Sequence, residues 1–283
     1  MITNCRACGS PRLQAGLSLG AQRLSDFRAD PSPSPAYPLD LVRCMYCTLV
    51  QLGETVPREL LYTGNYGYRS GVNEGIRADL ASVVETALAY APARARTWLD
   101  IASNDGTLLS NVPARFVRVG VDPVAKFADA AREHANRLVV GFFDPAQFGP
   151  QSMDVVTSVS MFYDLDDPDE FVAGVAEILS PAGVWVIQQN YLLDMMQQTT
   201  FDNVCHEHIT YWSLRPLVEL LGRHGLEVVA VTRSPVNGGC IRTVVSRRGI
   251  RPVDRSVLGL LREEGAAGLN DGTLFRAFED RTR

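Results

Sequence analysis

The chain has 283 residues, 46% of them hydrophobic and 21% charged, a balance that fits a globular protein with core enough for one large or two modest domains. A net charge of −5 argues against nucleic acid or an anionic membrane surface as the partner. No apolar run approaches the ~18 residues of a membrane span, and Met1–Cys5 lacks a basic-then-apolar signal, so no membrane association and a cytoplasmic location are expected, where cysteines serve as metal ligands or free thiols rather than disulfides.

Residues 1–70 read as a zinc-binding domain followed by a tyrosine-rich lid. Cys5-Arg-Ala-Cys8 and Cys44-Met-Tyr-Cys47 each place two thiolates on one side of a tight turn, half of a tetrahedral Zn2+ site. Four sulfur ligands leave no open position, so the zinc would be structural. The Pro-rich stretch Pro31–Pro38 is a loop, and Thr48–Leu52 a short strand. Leu60–Gly71 then sets Tyr62, Tyr66 and Tyr68 among glycines, a pattern that suits a lid as well as it suits surface packing.

Residues 71–250 alternate helix and strand. Ile76, Leu80, Val83, Val84, Ala87 and Leu88 recur at helical spacing over Asn73–Tyr90. A buried strand, Trp98–Ile101, leads into the polar turn Ser103–Gly106 and a helix start, where free backbone N–H groups make a ligand cradle. The strand Val117–Asp122 ends in a carboxylate about twenty residues on, a spacing suited to ribose hydroxyls. Helix Ala125–Asn136, strand Leu138–Val140, loop Gly141–Pro145, strand Met153–Ser158 and loop Val159–Asp167 follow. Helix Pro168–Leu179 is expected to stop at Ser180-Pro-Ala-Gly183 before strand Val184–Gln188. Beyond lie helix Leu214–His224, strand Glu227–Thr232, the hairpin signal Asn237-Gly-Gly239 and strand Cys240–Ser246. The alternation predicts an α/β fold with a mostly parallel sheet and a binding crevice at the carboxyl ends of its strands.

A dinucleotide site would show three glycines in the first turn; here only Gly106 is present. Ile101-Ala-Ser-Asn-Asp-Gly-Thr-Leu-Leu109 instead resembles the first loop of class I S-adenosylmethionine (SAM) methyltransferases, a Rossmann-like fold, and most of all the sugar C-methyltransferases of deoxysugar and antibiotic biosynthesis. Ala102 stands where that family has glycine. The resemblance implies that Asp100, Ala102, Ser103, Asn104, Asp105 and Gly106 hold the methionine and ribose region of SAM, that Asp122 takes the ribose hydroxyls, and that Phe143 and Asp144 lie beside the adenine.

Phe201-Asp202 and His206-Glu-His208, with Tyr211 and Ser213, match a second motif of the same family. The H-E-H spacing is not that of two metal ligands on one helical face. An imidazole, with a pKa near ~6.5, suits abstraction of a proton α to a carbonyl, which makes a sugar carbon nucleophilic. The resemblance assigns His208 as that base, with Glu207 and His206 supporting. Cys205 occupies a position where the family often has tyrosine. Tyr66-Gly-Tyr68-Arg-Ser70 matches the family lid and brings Tyr68 towards the site.

The expected activity is therefore C-methylation of a nucleotide-linked keto-deoxysugar. The alternatives are O- or N-methylation of another natural product, or a non-catalytic partner subunit of the same fold. Residues 251–283 are charged and helix-compatible. Members of the resembled group continue into a further domain that helps to hold the nucleotide-sugar. A truncated member is one expectation; a partner chain or self-association in place of that domain is the other.

Overall fold

The computed structural model describes residues 1–25, 35–62 and 66–283. Residues 31–34 of the expected Pro-rich loop, and 63–65 of the expected lid, lie outside them, and the loop's last residues, Ala36 to Pro38, are strand because they pair with β1's Ala21 to Arg23. Three antiparallel strands, β1 (Leu13–Arg23), β2 (Ala36–Cys44) and β3 (Val50–Leu52), carry the cysteine knuckles. Strand β3 starts later than Thr48 because Thr48 takes a left-handed conformation, φ 73°, to close the second knuckle.

After α1 (Arg58–Leu61) and α2 (Glu74–Tyr90) come β4 (Thr97–Ile101), α3 (Thr107–Ser110), β5 (Val117–Asp122), α4 (Ala128–Arg132), β6 (Arg137–Val140) and β7 (Met153–Val159). The chain continues through α5 (Pro168–Ile178), β8 (Leu179–Asn190), α6 (Leu192–Gln198), β9 (Thr210–Tyr211), α7 (Leu214–Arg223), β10 (Leu226–Ser234) and β11 (Cys240–Arg247). The large sheet has the order β10-β11-β8-β7-β4-β5-β6. Its pairs from β8 to β6 are parallel, while β11 is antiparallel to both β8 and β10. From β4 the chain winds outward through β5 and β6, then returns to β7 on the other side. That reversal opens a crevice at the carboxyl ends of β4 and β7.

Helices cover both faces, which is why the strands read as continuous apolar runs. On one face Leu80, Val83, Val84 and Ala87 of α2 bury against Trp98, Val155, Val184 and Val186. On the other, Phe171, Val172 and Val175 of α5 and Leu217, Leu220 and Leu221 of α7 share a cluster with Leu99, Val156, Trp185 and Ile187. Asn73 caps α2, its side chain accepting from the Ile76 N–H at 3.2 Å, and Asp167 caps α5 in front of Pro168.

Two expected elements of the α/β unit also differ. Helix 125–136 is a 3-10 turn followed by the short α4. Asn136 ends it early, because its side-chain oxygen accepts from the Arg118 N–H at 2.9 Å and its own N–H donates to the Arg118 carbonyl, pulling the chain back to the sheet. Ser180–Gly183 is not a turn between helix and strand. Strand β8 begins at Leu179 opposite Met153, and a register shift before Val155 absorbs three extra residues of the Ser180–Gly183 stretch.

The last residues form α8 (Arg255–Ala266) and α9 (Thr273–Thr282). Phe275 and Phe278 of α9 are buried in the core cluster that also holds Leu17, Leu41 and Leu49 of the cysteine module. Arg43 on β2 donates to the carbonyls of Leu269 and Asn270, and Glu264 of α8 accepts from the Tyr191 hydroxyl and the Leu214 N–H. Among the described residues, no helix is long and apolar enough to cross a membrane.

Candidate active site

The cysteine knuckles meet as their spacing required. The sulfurs of Cys5, Cys8, Cys44 and Cys47 all lie within 4.8 Å of one another, with Cys5–Cys47 and Cys8–Cys44 each 3.6 Å apart. Tetrahedral bonds of ~2.3 Å set sulfurs about 3.8 Å apart, so the cluster fits zinc. Its thiols perturb one another strongly: hydrogen bonding from Cys47 lowers Cys5 to about 5, while burial raises Cys8 to about 11. Four such thiols become thiolates together only around a cation.

The module also anchors the H-E-H segment. Strand β9 pairs with β3, Val50 opposite Tyr211 and Gln51 opposite Thr210, and the Leu52 N–H donates to the Ile209 carbonyl at 2.8 Å. The His206 Nε2–H donates to the Tyr37 carbonyl of β2 at 3.1 Å.

The crevice at the ends of β4 and β7 is a cavity of about 870 Å³, within the range of ~300–1,000 Å³ usual for ligand sites. Asp100, Ala102, Ser103 and Asn104 line it, with Asp122, Phe143, Asp144 and Tyr68. Asp105 and Gly106 do not reach its wall; they shape the loop from behind. Asp105 accepts from the Thr107 hydroxyl at 2.6 Å, from Arg69 at 2.9 Å and from the Gly71 N–H at 3.1 Å. Asn104 accepts from the Ser70 N–H and donates to the Tyr68 carbonyl. The tyrosine-bearing segment is thereby tied to the first loop. A Cβ at Gly71 would sit 2.7 Å from Asp105 Oδ2, so any larger residue there would push on that tie.

Ala102 has φ 62°, a left-handed conformation that costs an L-residue about 1–2 kcal/mol and glycine almost nothing. The alanine keeps the loop's backbone path at a cost in strain.

Asp100 is 3% exposed and accepts from the Thr157 hydroxyl at 2.7 Å. Burial, opposed by that hydrogen bond and assisted by the Asp122 charge, raises it to about 7. Asp122 accepts from the Asn104 N–H at 2.7 Å and the Val124 N–H at 2.8 Å, yet burial still raises its pKa. Each Asp122 oxygen retains a lone pair for a diol. Asp144 accepts from the Ala146 N–H at 2.9 Å. Phe143 combines core and wall, stacked on Phe148 at 6.0 Å and edge-on to Phe171 at 5.2 Å. Its neighbour Phe142 lines the cavity too, under the Arg58 guanidinium at 4.1 Å. Neither Phe142 nor Arg58 stood out in the sequence, since an aromatic pair in a loop gives no sign of which ring faces the ligand.

His206, Glu207 and His208 are not on the wall of this cavity. His208 is half-buried and lines a recess of about 10 Å³ with Tyr163, Asn190 and Tyr191. Its Nδ1 lies 2.9 Å from the Asn203 carbonyl oxygen, and the Tyr163 ring stands edge-on at 4.4 Å. Burial lowers its pKa, against the opposing Asn203 contact and Glu207 charge. The Cys205 thiol is pushed up to about 12 by burial and the Glu207 charge, so it is no thiolate nucleophile at neutral pH. The sequence reading missed Asp164. It lies in a 3-10 turn after β7, lines the cavity and feels the charge of Glu207.

A doubly wound sheet with one glycine in the first turn, acidic groups closing β4 and β5, and a cavity at the switch point defines a class I SAM-dependent methyltransferase. Comparison with known proteins agrees. A family described as "Methyltransferase domain" matches residues 72–231, and the chain belongs to it; a family described as "Putative zinc binding domain" matches residues 5–62. The chain is 28% identical to C-methyltransferase NovU of Streptomyces niveus over 293 residues, covering 98% of this chain and 69% of that protein. In fold it resembles a chain of the complex between the Haloferax volcanii Trm112 methyltransferase activator and a methyltransferase (TM-score 0.51, 20% identity, 62% of this chain and 92% of that one). A Leishmania major SAM-dependent methyltransferase superposes similarly (TM-score 0.51, 13% identity, 62% and 75%).

Proposed function

We propose that this protein is a C-methyltransferase that enolises a keto-deoxysugar carried on a nucleotide and directs the resulting carbon nucleophile at the SAM methyl group. The observation that carries the reading is the tautomer of His208. A carbonyl oxygen can only accept, so the contact with Asn203 puts the ring proton on Nδ1 and leaves the Nε2 lone pair free. The lowered pKa keeps that nitrogen unprotonated at neutral pH, the state a general base requires. The similarity to NovU, a C-methyltransferase, supports methylation at carbon.

In this reading His208 Nε2 takes the proton α to the acceptor carbonyl. Glu207, whose Oε2 is enclosed without a hydrogen-bond partner, stabilises the imidazolium that forms. His206 fixes the segment to β2, and Tyr68 orients the acceptor from the cavity wall. His208 packs against the Tyr163 ring and off the cavity wall, so the acceptor reaches it only if the lining between them gives way. SAM, when bound, supplies an electrophilic methyl group on a sulfonium centre. Asp100, Ala102, Ser103 and Asn104 would hold its methionine and ribose region, with Asp105 and Gly106 shaping the loop, Asp122 on the ribose hydroxyls, and Phe143 and Asp144 at the adenine.

Incubation with a 4-keto nucleotide-sugar in heavy water tests the base. Wild-type protein is expected to exchange the α-proton, and His208→Ala to lose about 10²–10⁴ in exchange rate with SAM binding intact. Undiminished exchange in the variant would remove His208 from this role.

A further inference from the structure

We infer that Asp164 is a catalytic hydrogen-bond donor to the acceptor oxygen, the atom on which charge collects as the neighbouring carbon is deprotonated. The inference rests on the enolisation reading above and adds to it the group that stabilises the enolate.

Asp164 sits where the chain leaves β7 at the switch point and is one of the residues lining the large cavity. Its Oδ1 is enclosed and has no hydrogen-bond partner, although the Tyr62 hydroxyl donates to the carboxyl. An enclosed carboxyl oxygen without a partner, in a residue that lines a ligand cavity, carries a desolvation cost that a proton or a ligand group would relieve. Glu207 Oε2 is enclosed and unpartnered as well, and the Glu207 charge is felt at Asp164.

The titratable groups that feel Asp164 are Tyr62 and Tyr66 from the segment before α2, Tyr163 beside it, and Cys205, Glu207 and Tyr211 around the H-E-H motif. None of them is a cation. Burial drives the Asp164 pKa well above the usual carboxylate range, the Tyr62 hydrogen bond opposes this, and the Glu207 charge adds to it. Burial thus favours the neutral acid form of Asp164, which can donate where an ionised carboxylate could only accept.

The step balances without any further reactant. The α C–H bond breaks, its proton goes to His208 Nε2, and its electron pair forms the C=C bond. The carbonyl π pair moves to oxygen, where it meets the Asp164 O–H. Asp164 keeps its proton, and the base returns to Nε2-free form when solvent takes up the proton it accepted. The pH sign follows: the contribution of Asp164 is present while it is protonated and is lost as pH rises through its elevated pKa.

The test is α-proton exchange of a 4-keto nucleotide-sugar in heavy water across pH, with SAM affinity and zinc content measured on each variant. Asp164→Asn keeps a neutral donor and is expected to exchange within about tenfold of wild type, without the fall on the alkaline side. Asp164→Ala has no donor and is expected to lose about 10²–10³ in rate, the usual effect of deleting one oxyanion donor. Tyr62→Phe leaves Asp164 in place but removes the contact that restrains its pKa, so the alkaline fall should move to higher pH. Wild-type rates in Asp164→Ala, an Asn variant as slow as the alanine one, or an alkaline fall unmoved in Tyr62→Phe would each overturn the inference while leaving His208 as base. No exchange by wild-type protein overturns the enolisation reading and this inference together.

Discussion

Asp100 offers a quantitative test of how the end of β4 is built. Its carboxyl is almost fully buried and rises from an ordinary value of 3.8 to about 7. Between those values the folded chain binds a proton that the unfolded chain has released, so this group's contribution to stability is fully present below about pH 4 and is lost as pH rises through about 7. A shift of about three units corresponds to ~4 kcal/mol at most, or of order 8–16 °C in Tm for a chain of this size at ~2–4 °C per kcal/mol. Asp100→Asn removes the titration and keeps an oxygen for the Thr157 hydroxyl, which donates at 2.7 Å. Other carboxyls shape the absolute profile: Asp122 and Glu264 are raised, Asp105 and Asp169 lowered. The informative quantity is therefore the difference between wild type and variant, measured by thermal unfolding of SAM-free protein from pH 4.5 to 8.5. The variant is expected to gain on wild type as pH rises, with most of the gain below pH 7. Parallel profiles would refute the assignment of a buried, protonated carboxyl at this position.

Two further outcomes follow from the ties around the site. Gly71→Ala forces a Cβ against Asp105 and Thr107, so SAM affinity should weaken about tenfold by calorimetry while zinc content stays unchanged; unchanged affinity would show the segment to be indifferent to the loop. Chelation of the metal should loosen β3 and with it the paired β9, raising amide exchange at Gln51, Thr210 and Tyr211 before any change at β4 and β5. Simultaneous loss across both sheets would contradict a local scaffold.

The parts of this fold that the sequence disclosed are those set by short-range chemistry. C-x-x-C pairs announce a knuckle because two thiolates need a tight turn, and β4 announces itself because Trp98–Ile101 is buried on both faces. The first loop was legible through Asn104 and Gly106, residue types that accept left-handed backbone. What was not legible depends on distant pairing. Strand β1 contains Gly16, Ser18 and Gly20, poor strand formers, and exists because β2 pairs with it. The H-E-H segment carries no local sign that β9 will join the cysteine module, nor that His208 will pack against Tyr163 rather than on the cavity wall. Asp164 looked like one acid in a loop of several. Its neighbours Tyr62 and Glu207, about a hundred residues before it and some forty after it, give it a distinct character.

The central claim is methylation at carbon, and the product reports it directly. With SAM labelled at its methyl carbon and a 4-keto nucleotide-sugar as acceptor, the account predicts a new methyl signal coupled only to ring carbon, absent in His208→Ala. A methyl attached to oxygen or nitrogen, or no transfer by protein that binds both SAM and acceptor, would contradict it.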